Sequence, residues 1–215
     1  MYTEIESTAR DHGLAILGAL HPRLTPTKSV DHGTLLLLGT DAGFWSQFKS
    51  SPEGRDGLEN PIDRWSKRVI GTLAKQMGAQ AHYPFGGPPH APFVSWALDS
   101  GRVFSSPTKV MVHDTMGMMI SFRGALLFDQ EFDIPAPRLS DSPCHGCVDK
   151  PCTTTCPVGA MNAQGNFLVK DCYDFIAQTG ECVTKGCLAR SACPLSQKSG
   201  RNPEQTSHHM SYCKF

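Results

Sequence analysis

The chain has 215 residues, of which 40% are hydrophobic and 19% charged, and its 20 basic and 20 acidic side chains leave a formal net charge of zero. This composition fits a folded protein of one large or two small domains and excludes a disordered tail. No basic stripe is present to neutralise phosphates, so no nucleic-acid partner is expected, and no apolar run approaches the roughly 20 residues of a membrane span. The polar, acidic start MYTEIESTAR lacks the order of a secretory signal, which makes a cytoplasmic address the expectation.

Leu14–Leu20 and Thr34–Gly39 are short apolar runs bounded by Gly, Pro and Asp, and they read as buried strands. Asn60 followed by Pro61 offers a helix N-cap with proline at the first position. Behind it Ile62, Trp65, Val69, Leu73 and Met77 share one helical face until Gly78. Ala79–Tyr83 predicts another strand, running into the Pro- and Gly-rich segment Tyr83–Pro92. Phe93–Asp99 suits a short helix, and Lys109–His113 and Met118–Phe128 suit two strands joined by a turn at Asp114–Gly117. The expected class is α+β or α/β over residues 1–133, followed by a stiff proline-rich linker at 134–143 and a cysteine module at 144–215.

All nine cysteines lie between Cys144 and Cys213. Such density without an export signal points to metal rather than disulfides. The first run is C-x2-C-x4-C-x3-C-P (Cys144, Cys147, Cys152, Cys156); farther on, Cys182, Cys187 and Cys193 end in a second Cys-Pro, with Cys172 between the groups. In two-cluster ferredoxin runs the cysteine before proline serves the other cluster. That crossing assigns Cys144, Cys147, Cys152 and Cys193 to one [4Fe–4S] cluster, and Cys156, Cys172, Cys182 and Cys187 to a second. The common bacterial run has two residues before its third cysteine where this chain has Val148–Pro151, an enlarged loop. Zinc is the bland alternative, but zinc ribbons favour paired C-x2-C knuckles and only one occurs here. Phe167–Val169 suits a short returning strand, and Asp171 a cap for a helix carrying Cys172 and ending at Gly180. Cys213, near His208 and His209, is left over and reads as a terminal residue without a ligand role.

The stretch Cys144–Pro194 resembles the two-cluster, bacterial-ferredoxin-like module of epoxyqueuosine reductases and corrinoid reductive dehalogenases. In those proteins the module accompanies a nitroreductase-like domain that holds cobalamin, and the clusters feed electrons to cobalt. Thr34–Phe48, Asn60–Ile70 and especially GMMISFRGALLF (Gly117–Phe128) resemble the CblC cobalamin-processing family, which is also nitroreductase-like. The chain departs from epoxyqueuosine reductase at Pro89, which stands where the catalytic Asp is expected, and at RVFSSP (Arg102–Pro107). The tRNA-binding repeats are missing, so epoxyqueuosine reduction itself is not expected. Neither D-x-H-x-x-G, which supplies a histidine to cobalt, nor the dinucleotide motif G-x-G-x-x-G occurs.

The resemblance implies an iron–sulfur oxidoreductase working on or through a bound corrinoid (cobalamin), with a flavodoxin, ferredoxin or reductase as electron donor. The alternatives are a ferredoxin-type carrier with a docking domain, and an iron–sulfur flavoprotein holding FMN. A corrinoid or flavin site would take its rim from Tyr83–Pro92 and Asp114–Gly117, with Tyr83, Gly86, Gly87 and Gly117 permitting close approach of a flat ligand. His90 and His113 are the candidate proton donors. Arg123 matches the arginine of the family's F-A-I-R-G-like strand and is a candidate partner for a propionamide or phosphate.

Overall fold

The computed structural model describes residues 1–24, 29–137 and 141–213. Among the described residues there are six strands: β1 (Leu14–Leu20), β2 (Thr34–Thr40), β3 (Gln80–His82), β4 (Val103–Ser105), β5 (Met111–His113) and β6 (Phe122–Phe128). The chain folds into two compact units. One comprises Met1–Val103 with Ser121–Arg138, the other Phe104–Ile120 with Leu139–Phe215. A single cut at 134–143 therefore does not describe the molecule, because Phe104–Ile120 folds with the cysteine segment. Within the linker, residues 135–137 are exposed and irregular, and 138–140 lie outside the described residues.

In the first unit the sheet order is β1-β2-β6-β3, and every pairing is antiparallel. Antiparallel pairing selects the α+β alternative over α/β. β2 lies inside the sheet with its whole length buried, which is why Leu35–Leu38 read as a continuous apolar run. Helices α1 (Tyr2–Arg10), α2 (Phe44–Ser50) and α3 (Pro61–Met77) pack Ile5, Phe44, Trp65, Ile70 and Leu73 against Leu36, Leu38 and Leu126. Helix α4 (Phe93–Asp99) lies against β1 and buries Phe93, Trp96 and Ala97.

Three local expectations for this unit are refined. Asn60 does precede α3 but adopts a left-handed conformation (φ 51°), so its side chain makes no cap bond and Pro61 begins the helix. β3 starts at Gln80 rather than Ala79, because the Ala79 N–H closes the end of α3 on the Ala74 carbonyl at 2.8 Å. β6 starts at Phe122 rather than Met118. Upstream, the Met118 N–H donates to Ser196 Oγ at 3.0 Å, and the Met118 and Met119 carbonyls accept from Arg190 and Arg201 at 2.8 and 3.1 Å. Backbone groups spent on side chains cannot also join a ladder.

The second unit contains β5, the Phe104–Ser105 part of β4, and the helices α5 (Val169–Thr179), α6 (Glu181–Lys185), α7 (Leu188–Ser191), α8 (Pro194–Lys198) and α9 (Pro203–Ser211). Phe167 makes one isolated bridge, to Met161, instead of a strand. Asp171 sits inside the first turn of α5, and Leu168 occupies the cap position. Gly180 ends α5 at φ 65°, as expected of a left-handed C-terminal residue. Among the described residues of the unit, one apolar cluster gathers Val112, Met118, Met161 and Ala189 with Cys152 and Cys193, and another gathers Ile176 and Met210 with Cys182.

Candidate functional site

Each cysteine is presented by a short, specific piece of backbone. Cys144 donates its N–H to Ser142 Oγ at 3.3 Å, and its carbonyl accepts from Cys147 N at 3.4 Å, so the first two thiols share one tight turn. The enlarged loop continues through Lys150, at φ 40°, into a single 3₁₀ turn (Pro151–Thr153) that buries Cys152. The Thr155 hydroxyl donates to the Pro151 carbonyl at 2.7 Å and fixes that turn. Cys172 and Cys182 lie on α5 and α6. Cys187 and Cys193 are extended residues immediately before α7 and α8. Pro194 is the first residue of α8, where its missing N–H is no loss and its fixed φ suits the helix. The residue before proline is held extended, and this turns Cys193 away from the helix that follows.

Cys193 thereby joins the first run. Cys144, Cys147, Cys152 and Cys193 line one cavity of about 310 Å³, walled by Val112, Met118 and Pro143 among others. Burial, and then the neighbouring thiolates of Cys144, Cys193 and Cys147, push the Cys152 thiol up to about 11. Cys156 goes to the other group: the Cys172 thiol is pushed up to about 11 by burial and by the thiolates of Cys187, Cys156, Cys182 and Cys213. Cys182 is raised by burial and by Cys187 and Cys156. The Cys187 thiol donates to Met161 Sδ at 3.9 Å.

Among the described residues, no group of three or more His, Cys, Asp or Glu is gathered as the ligands of a single metal ion would be. Each corner iron of a cubane takes its own thiolate, so four cluster ligands stand farther apart than the ligands of one ion. A thiolate-only donor set around an apolar-walled cavity suits iron and sulfide, whose positive irons offset both the desolvation and the mutual repulsion of the four sulfurs.

The remaining candidate residues fall on both units. Tyr83, Gly86, Gly87, His90 and Arg123 belong to the first, His113 and Gly117 to the second. Tyr83 donates its hydroxyl to the Lys67 carbonyl at 3.2 Å, and its ring lies 5.4 Å from that of Phe85. The Arg123 guanidinium stacks over Phe85 at 5.6 Å and pairs with Asp63 at 3.2 Å; burial lowers its pKa. Gly86 and Gly87 lie in exposed loop at positive φ, and His90 is exposed, with Nδ1 2.9 Å from where a Cβ on Gly87 would stand. His113, by contrast, is fully buried, and its Nδ1 accepts the backbone N–H groups of Thr115 and Met116, each at 3.1 Å. It anchors its own turn. At Gly117 the close approach is to protein: a Cβ there would stand 2.3 Å from Ser196 N. Arg190, Ser196 and Arg201, which hold the Met118–Met119 loop, carry no motif and are found only through the hydrogen bonds they make.

No family profile matches the chain, and no curated protein matches it. Among solved structures, that of selenomethionine-labelled epoxyqueuosine reductase is similar, with a TM-score of 0.52 and 14% identity, covering 95% of this chain and 70% of that one. At such identity the likeness concerns the fold. Among the described residues, no helix is long and apolar enough to cross a membrane.

Proposed function

We propose that the protein is an iron–sulfur oxidoreductase that holds two [4Fe–4S] clusters, one on Cys144, Cys147, Cys152 and Cys193, the other on Cys156, Cys172, Cys182 and Cys187. The observation that supports this reading most is the lining of one cavity by Cys144, Cys147, Cys152 and Cys193. Cys193, 41 positions after Cys152 in sequence, lines the same cavity as the first run, while Cys156 acts on the thiols of the second. Clusters in those places would accept and pass on single electrons. The chain's own part is to hold the thiols at fixed spacing and to wall them with Val112, Met118 and Met161, which lowers the local dielectric and restricts water. Anaerobically reconstituted protein should be brown and contain about eight irons per chain. Colourless protein with stoichiometric zinc would contradict the proposal.

A more specific reading sends the electrons to a corrinoid bound by the first unit, which we read as nitroreductase-like, the second unit being read as a ferredoxin-like module. The fold likeness to an epoxyqueuosine reductase supports it. So does the group of Tyr83, Phe85 and Arg123 beside the Gly86–Gly87 loop, which offers flat aromatic surface and a partly buried cation for an amide or phosphate. Flavin, or docking to a partner without any second cofactor, are the competing outcomes of the cobalamin titration described below.

A further inference from the structure

Next to the thiol cavity, across a shared wall, lies a second pocket of about 260 Å³ with a different lining. The wall is made by α8 and the loop before β6. Met118 and Leu195 line the thiol cavity, whereas Met119, Ser196 and Gln197 line the second pocket, and the two have no lining residue in common. Lys185, Ser191 and Arg201 complete its polar surface, and among its described lining residues there is no Asp or Glu. These residues come from α6, α7, α8 and the connection to α9, all within the second unit.

The donors are presented in distinct ways. Arg201 Nη1 donates to the Met119 carbonyl at 3.1 Å, a bond that engages one of five N–H donors and fixes the plane of the guanidinium. Lys185 reaches Glu181 at 2.9 Å, but this pair lies one turn apart on an exposed surface, where it contributes little and leaves the ammonium able to turn. Ser196 is 6% exposed, and its hydroxyl accepts the Met118 N–H at 3.0 Å. A hydroxyl that accepts still has its own proton to give, and among the described residues nothing receives it. Buried polar groups are paired, so that proton requires an acceptor. Ser191 and Gln197 engage only their backbone N–H groups, on the Cys187 and Cys193 carbonyls, and their side chains make no hydrogen bond among the described residues.

Positive charge and donors without a lining carboxylate suit an oxyanion. A planar fork and a point charge, joined by hydroxyl and amide donors from separate helices, match a tetrahedral phosphate better than a flat carboxylate. The volume lies below the roughly 300–1,000 Å³ of sites for drug-sized ligands, which favours a small anion over a nucleotide. We propose that this pocket is a phosphate-binding site, taking inorganic phosphate or the phosphate group of a small phosphomonoester on Lys185, Ser191, Ser196, Gln197 and Arg201. The proposal stands apart from the question of what the thiols hold.

The test is isothermal titration calorimetry of the anaerobically purified full-length chain with inorganic phosphate at constant ionic strength. One site per chain is expected, with acetate binding about tenfold more weakly or worse. β-Glycerophosphate should compete for the same site, and whichever of the two phosphates binds more tightly identifies the source. Lys185→Gln should weaken phosphate binding about threefold, and Lys185→Gln combined with Ser191→Ala about tenfold, since each removes a donor to a charged group. Arg201→Gln is a poorer probe, because it also loses the bond to Met119. Without phosphate the double variant should melt with wild type; if it melts clearly lower, Lys185→Gln alone decides, because that side chain is exposed. No binding of millimolar phosphate overturns the proposal, as does binding that the deciding variant leaves unchanged, or acetate binding as tightly as phosphate.

Discussion

Two cysteines owe their positions to the residue that follows them. Cys156 and Cys193 each precede proline, and in the two-cluster reading proposed above each thiol serves the other group. Substituting Cys156 or Cys193 with Ala should therefore remove about four of the roughly eight irons, whereas Cys213→Ala should leave the iron content unchanged. Iron quantification on reconstituted variants checks both, and a requirement for Cys213 but not Cys152 would show that the enlarged loop has changed the ligand set. In the first unit, Arg68 grips the Glu53 carboxylate with two parallel hydrogen bonds of 2.6 and 2.8 Å, holding its pKa down from 4.5 to about 2. The folded-state value is the depressed one, so the contribution is complete above about 4.5 and drains away as pH falls towards 2. Arg68 is half exposed, which limits the contribution to about 1 kcal/mol. Glu53→Gln should lose that much in urea unfolding at neutral pH, and the difference from wild type should close at the acid end of the window.

Among the elements, the Met116–Ile120 loop is held by side chains that follow it in sequence by more than seventy residues, two on α7 and α8 and one, Arg201, between α8 and α9. Ser196 on α8 receives the Met118 N–H, and Arg190 and Arg201 donate to the next two carbonyls. Gly117 makes that contact possible, since its φ of 57° and its 2.3 Å clearance to Ser196 N leave no room for a Cβ. Gly117→Ala combines left-handed strain with a backbone clash and should destabilise the protein by about 2–3 kcal/mol. Ser196→Ala, which removes one side-chain acceptor, should cost about 1 kcal/mol. Thermal unfolding of the iron-free chain measures both directly, and equal effects would show that the loop can shift to admit a methyl group.

For the whole molecule, the discontinuous second unit makes a prediction about fragments. Val112 and Met118 are part of the apolar cluster that holds Cys152 and Cys193, yet they precede the cysteine segment in the chain. A fragment beginning at Asp141 would leave that cluster open, and it should lose iron faster than the full chain when both are exposed to a chelator. Equal rates would mean that the cysteine segment folds on its own. The same scale hosts the question of a second cofactor. Titrating cob(II)alamin anaerobically into the full chain should produce the spectral change of base-off binding, in line with the absence of D-x-H-x-x-G from the sequence. Binding of FMN instead favours the flavoprotein, and binding of neither favours a carrier.

Much of this protein was legible in one dimension. Strand β1, helix α4 and the body of α3 follow from apolar runs and helical spacing, because burying one face rewards a local pattern wherever the chain folds. The candidate ligand sets were equally readable, since short spacings and the two Cys-Pro steps limit which thiols can meet. Tertiary structure decided the rest. The start of β6 at Phe122, the burial of His113 in its own turn and the closure of Gly117 against Ser196 all depend on hydrogen bonds or contacts that local sequence does not encode. Arg190 shows this most clearly. In the sequence it is one basic residue among 20. Only the fold carries its guanidinium to the Met118 carbonyl, 72 positions earlier in the chain, at 2.8 Å.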